Sequence, residues 1–185
     1  ALKRKFVDLD LQHSLINLSY VLVYIRAVPR RTGHAGLILY QNGLFSYILV
    51  EKTASIGTIW SFSRMGPYKV GHFLKLVSIP DGFFIFNLEL KLGCGGQVGR
   101  SAGISLKILN KFINKYNKIL IKFRSGDQYF VNVNCGASLG VCSNSGNWHR
   151  KYGSAGIKRR LFGYRSRVRG VAMNPIDHPH GGNTP

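Results

Sequence analysis

Asp177, His178 and His180 stand close together in the run RGVAMNPIDHPHGG near the C-terminus. A histidine beside a carboxylate is a candidate general base or metal ligand. Side chains at adjacent positions of an extended segment point apart, so Asp177 and His178 need not meet. The seven acidic residues are scattered singly, which leaves no carboxylate pair for Mg²⁺ or for acid and base work. No Ser or Cys nucleophile signature accompanies them. The economical role for Asp177, His178 and His180 is hydrogen bonding to RNA, and no catalytic residue is assigned. A metal-dependent RNA-processing enzyme using His178 and His180 is kept as a competing reading.

Two other stretches invite chemistry. Cys135-x6-Cys142 with His149 can be drawn as a zinc site, but zinc motifs bring ligands two to four residues apart in two knuckles. No metal is assigned, and three cysteines without framework spacing point to a reducing compartment. Residues 91–103, KLGCGGQVGRSAG, hold five glycines. They match neither the phosphate-loop spacing nor a dinucleotide fingerprint, and the following segment alternates like a strand, so no nucleotide cofactor is expected. The stretch reads as a backbone-rich loop lying against a flat polar surface, with Gln97, Arg100 and Ser101 as donors to phosphates or sugars. A merely flexible loop is the plain alternative.

The charge balance names the class of partner. Twenty-six Lys and Arg face seven Asp and Glu, for a net charge of +19. Such a surface repels itself unless a polyanion neutralises it. No apolar run approaches the roughly 20 residues of a spanning helix, and no long basic-faced helix is expected to lie on a bilayer, so nucleic acid is favoured over membrane. The cations come in groups: Lys3, Arg4 and Lys5; Arg30 and Arg31; Arg150, Lys151, Lys158, Arg159 and Arg160; and Arg165, Arg167 and Arg169. The last three alternate, so in an extended chain they face one way and match a row of phosphates. Residues 128–176 contain no acid, and Trp148, His149, Tyr152, Phe162 and Tyr164 are interleaved with the cations there. Those rings either stack on unpaired bases or pin the tail to the body. Gly181 and Gly182 end the loop and permit close backbone approach.

Short β-strands position these groups. Strands are expected at 6–11, 20–28, 35–40, 44–50, 58–62, 73–79, 83–90, 105–109, 119–123 and 128–133. Gln41-Asn42-Gly43 predicts a hairpin with a two-residue turn. Short strands at this spacing indicate small barrels, and Met65-Gly66-Pro67 is the expected domain junction.

The runs RGVAMNPIDHPHGG, GGQVGRSAG, AGLILYQNGLFSYILVEK and KFRSGDQYFVNVNCGASLGVCSN resemble the universal large-subunit ribosomal protein L-two family over nearly the whole chain. The resemblance implies an all-β fold: an oligonucleotide-binding type barrel (1–66), an SH3-like barrel (67–160) and an extended basic C-terminal segment (161–185). It also implies binding to large-subunit rRNA, support of subunit association and a loop, 174–182, near the peptidyl-transferase centre. The family's singled-out histidine falls on His178, read here as a contact that orders RNA. Neighbouring ribosomal proteins and the small subunit are the implied partners, with no membrane and no small-molecule substrate. The family usually has a basic residue where this chain has Cys94, and its basic N-terminal extension and its Lys- and Arg-rich tail beyond Pro185 are not found here. A chain rich in Ile, Asn, Lys, Phe and Tyr suggests an AT-rich organelle gene. A mitochondrial ribosome is therefore expected, with a plastid or bacterial ribosome as the alternative.

Overall fold

The computed structural model describes residues 7–13, 18–28, 31–63, 68–163 and 167–182. They fall into two compact units, one within Arg4–His149 and the other within Arg150–Pro185. The first is all-β and contains two cores.

The first core is built by β1 (Ser19–Ala27), β2 (His34–Tyr40), β3 (Phe45–Leu49) and β4 (Ile59–Ser63), with β1 antiparallel to both β2 and β4. Alternation places Tyr20 and Leu22 inward with Ile38, Tyr40, Ile48, Val50 and Trp60. The β2–β3 hairpin forms as expected, but its loop has three residues rather than two. Tyr40 N–H donates to Leu44 O at 2.9 Å and Gly43 N–H to Tyr40 O at 3.0 Å, with Gly43 at φ +83°. A turn closed by a left-handed glycine is the alternative that Asn-Gly also serves.

The second core belongs to β5 (Phe73–Lys75), β6 (Phe84–Phe86), β7 (Leu106–Phe112), β8 (Lys118–Lys122), β9 (Gln128–Asn132) and β10 (Gly136–Leu139), in the order β5-β10-β6-β7-β8-β9. The sheet closes on itself beyond the strand ends. Leu76 N–H donates to Cys135 O at 2.9 Å and Val77 N–H to Val133 O at 3.0 Å, joining the end of β5 to the chain that leaves β9. Inside lie Leu74, Leu76, Ile85, Leu106, Ile108, Ile119, Ile121 and Val131. This is the small barrel expected of an SH3-like domain. A single turn, α1 (Ile113–Tyr116), joins β7 to β8. The two cores are tied by the parallel pairing of β4 with β5 and by a third cluster of Leu49, Phe86 and Cys142, against which Leu9 and Leu11 pack.

Three expectations change. Residues 7–11 are not a strand: Asp10 N–H reaches Tyr47 O at 2.8 Å, and the segment otherwise serves loops. β10 has no counterpart in the expectations, because GASL is poor in β-branched and aromatic residues, and burial alone selects the strand. The second unit has α2 (Ile157–Phe162) across the expected boundary at 160 between the SH3-like barrel and the extended segment. The junction expected at 65–67 lies outside the described residues. No helix among the described residues is long and apolar enough to cross a membrane.

Candidate nucleic-acid interface

The turn after β1 is anchored to two distant segments. Thr32 Oγ1 accepts Ala102 N–H at 3.1 Å, Asn144 Nδ2 donates to Thr32 O at 2.7 Å, and Ser143 Oγ accepts His34 N–H at 2.9 Å. The Cys142 thiol lies 3.8 Å from Arg100 O and is pushed up to about 11, chiefly by burial. Residues 31–34, 100–103 and 142–144 therefore converge, and they bring Arg31 beside Arg100. Burial first, and then the Arg100 charge, lower the Arg31 guanidinium from its ordinary value. Two neighbouring cations at this junction form a site suited to phosphate. Gln97 and Ser101 are exposed nearby in sequence, and Arg100 is half-buried.

The glycine loop departs from expectation: much of its backbone faces the protein's own core. Gly95, Gly96 and Gly99 are buried. Glu89, itself buried, accepts Gly95 N–H at 3.1 Å and Gly136 N–H at 2.8 Å through its two carboxylate oxygens. Gly96 N–H donates to Leu11 O at 2.7 Å, and a Cβ at Gly96 would overlap the Asn87 side chain. Asn87 Nδ2 donates in turn to His13 Nε2 at 3.0 Å, an arrangement that needs that nitrogen unprotonated. Burial lowers His13 to about 3, and its ring stacks on Phe73 with centroids 4.0 Å apart. The glycines are spaced for internal packing, a demand that a phosphate cradle and a packing loop share at the level of sequence.

The C-terminal loop is organised the opposite way. It opens with a short 3-10 turn (Gly170–Ala172) and closes when Gly182 N–H donates to Met173 O at 3.1 Å. Asp177 N–H and His178 N–H both reach Asn174 O, at 3.0 and 3.2 Å, and Gly181 N–H reaches His178 O at 2.8 Å. His180 N–H donates to His178 Nδ1 at 3.1 Å, and the two imidazoles meet edge to face with centroids 5.1 Å apart. His178 is half-buried against Gly170, where a Cβ would fall within the ring. A Cβ at Gly181 would fall on the Asn174 carbonyl. The loop's own backbone thus satisfies its turns while Pro175, Ile176, Asp177 and His180 stand outward, Ile176 being 93% exposed.

Of the other expected contacts, Arg150, Lys151, Arg159, Arg160, Arg167 and Arg169 are exposed, Asn174 and Gly182 are exposed, and Gly181 is half-buried. Lys158 lies on α2 between Ile157 and Arg159. Lys3, Arg4, Lys5, Arg30 and Arg165 lie outside the described residues, so the alternating comb is represented by Arg167 and Arg169. Among the described residues no group of three or more His, Cys, Asp or Glu is placed to hold a metal ion. Lys107, Lys122 and Arg124 form no contiguous basic group in the sequence. They are spread over β7, β8 and the turn after β8, and only the pairing of those strands brings them together.

Comparison with known proteins places the chain. The family model described as Ribosomal Proteins L2, C-terminal domain, matches residues 69–184. The chain is similar to the protein named large ribosomal subunit protein uL2 of Buchnera aphidicola and of Rickettsia prowazekii, with 40% identity to each over 180 residues. It is 41% identical over 180 residues to the protein of that name in Rickettsia typhi. Each match covers 97% of this chain and 64% of the relative, so the chain spans less than two thirds of the length of these proteins. The chain belongs to the ribosomal protein L2 family.

Proposed function

We propose that the protein is a structural constituent of the large ribosomal subunit that binds rRNA, supports subunit association and orders RNA near the peptidyl-transferase centre. The observation that supports this most is the C-terminal loop: a backbone closed on itself, displaying Asp177, His180 and the preceding Arg167 and Arg169 to the outside. The names of its relatives and a net charge of +19 point the same way. Residues 1–66 and 67–160 act as two RNA-contacting barrels and 161–185 as the inward-reaching segment. Lys3, Arg4, Lys5, Arg30, Arg31, Arg100, Arg150, Lys151, Lys158, Arg159, Arg160, Arg165, Arg167 and Arg169 meet phosphates. Gln97, Ser101, Asn174, Asp177, His178, His180, Gly181 and Gly182 meet sugars and bases.

His178 holds the loop in shape and touches RNA. It is not the base of peptide transfer, and the protein is not an enzyme. Neighbouring ribosomal proteins and the small subunit are its other partners. The composition favours a mitochondrial ribosome, and fractionating cells of the source organism tests that placement.

Sedimentation tests the function itself. The chain is expected to stay with the large subunit through a high-salt wash, and release from it would instead indicate a free-standing RNA-binding regulator. Binding of the isolated chain to RNA should fall by roughly 10³ to 10⁵ between about 50 and 200 mM salt if about 6 to 10 phosphates are neutralised. A flat salt response would contradict the electrostatic reading.

A further inference from the structure

On the outer face of the second barrel three strands align one aromatic and two cations. Phe84 on β6 is in register with Lys107 on β7, and Lys107 is in register with Lys122 on β8. Like charges directly opposite one another across a strand pair are destabilising. The row borders an open groove of about 360 Å³ completed by Gly103, Ser105, Phe123 and Arg124. Phe84 is 51% exposed, although its neighbours Ile85 and Phe86 are core residues. At the groove's end the Arg124 guanidinium lies 5.9 Å from the ring centroid of Trp148, which is 68% exposed. The acid of the adjoining turn, Asp127, accepts the Ser125 hydroxyl at 2.7 Å.

We propose that this groove holds a single unstacked nucleotide of an RNA strand, its base against Phe84 and its phosphate between Lys107, Lys122 and Arg124. The inference rests on the rRNA-binding reading and adds to it a recognition mode, single-stranded rather than duplex, on a face that the loop and the arginine comb do not include. The chemistry favours a nucleotide because both halves of it are answered. Cations alone suit any polyanion, whereas an exposed aromatic plane beside them suits a base, whose π-face stacks without sequence preference. An acidic peptide would use the cations and leave Phe84 without a role.

The test uses the full chain and two probes of equal charge: a single-stranded oligoribonucleotide carrying 2-aminopurine, and a fully paired RNA duplex. Wild type is expected to bind the single strand and quench the 2-aminopurine. Phe84→Leu, with thermal melting unchanged, should weaken single-strand binding roughly 5- to 100-fold and abolish the quenching. Duplex binding should stay within about twofold, being set by phosphate contacts. Phe84→Tyr keeps a stacking plane and should behave as wild type. Lys107→Gln and Lys122→Gln should weaken both RNAs and each lower the salt slope by about one. The proposal is overturned if wild type binds RNA but Phe84→Leu binds the single strand equally well, or if oligoglutamate of matched charge competes as well as the single strand. If wild type binds neither RNA, the rRNA-binding reading falls and the groove with it.

Discussion

The glycine loop of residues 91–103 and the loop of residues 170–182 look alike as sequence: both are glycine-rich, strand-poor and supplied with polar side chains. In the structure they do opposite things. The first turns its backbone inward, so that Gly96 lies where only a residue without Cβ clears Asn87, and Glu89 bridges Gly95 to β10. The second folds its backbone onto itself, so that Gly181 clears the Asn174 carbonyl while the side chains face away. Glycine content reports only that backbone comes close to something. Which something decides whether a loop is part of a core or part of an interface.

That contrast can be broken by acid. His13 accepts from Asn87 while neutral, with its folded value lowered to about 3 from an ordinary 6.5. The unfolded chain takes up a proton as pH falls through 6.5, whereas the folded one does not until about 3. This contribution is therefore full above 6.5 and lost between 6.5 and 3, by several kcal/mol. Hydrogen exchange should show residues 91–103 opening over that range, and His13→Asn should flatten the acid dependence of stability. Equal opening of residues 170–182 would erase the distinction between the loops.

Substitutions sharpen it. Gly96→Ala should destabilise the chain by about 3 kcal/mol in denaturant unfolding, because the buried neighbour cannot move aside without breaking the His13 contact. Glu89→Gln should lower stability by about 1 to 3 kcal/mol, since an amide presents a donor to one of two backbone N–H groups. Gly181→Ala, whose Cβ would meet the Asn174 carbonyl, should distort residues 170–182 and reduce incorporation into large subunits, while costing less in global unfolding than Gly96→Ala because the distorted loop lies outside the two barrel cores. Arg167→Ala with Arg169→Ala should also weaken incorporation, whereas His178→Ala should give assembled particles of low activity. A Gly181 variant that unfolds as readily as the Gly96 variant would contradict the account.

The strands with alternating, β-branched or aromatic residues were legible: β1, β2, β3, β7, β8 and β9 lie within two or three residues of where the pattern puts them. β10 was not, because Gly136, Ala137 and Ser138 offer no propensity signal and become a strand only through burial between β5 and β6. The candidate site divides in the same way. Contiguous features such as Arg167, Arg169 and residues 174–182 can be read along the chain. The meeting of Arg31 with Arg100 and the row of Phe84, Lys107 and Lys122 depend on long-range pairing, and no local spacing encodes them.

The central claim is that this chain is held in a large ribosomal subunit through rRNA. Mapping protein–RNA crosslinks in intact ribosomes of the source organism tests it most directly. The account predicts crosslinks to large-subunit rRNA from the Arg31 and Arg100 region and from residues 167–182. Ribosomes in which the chain is present but crosslinks only to protein, with no rRNA contact from either region, would contradict it.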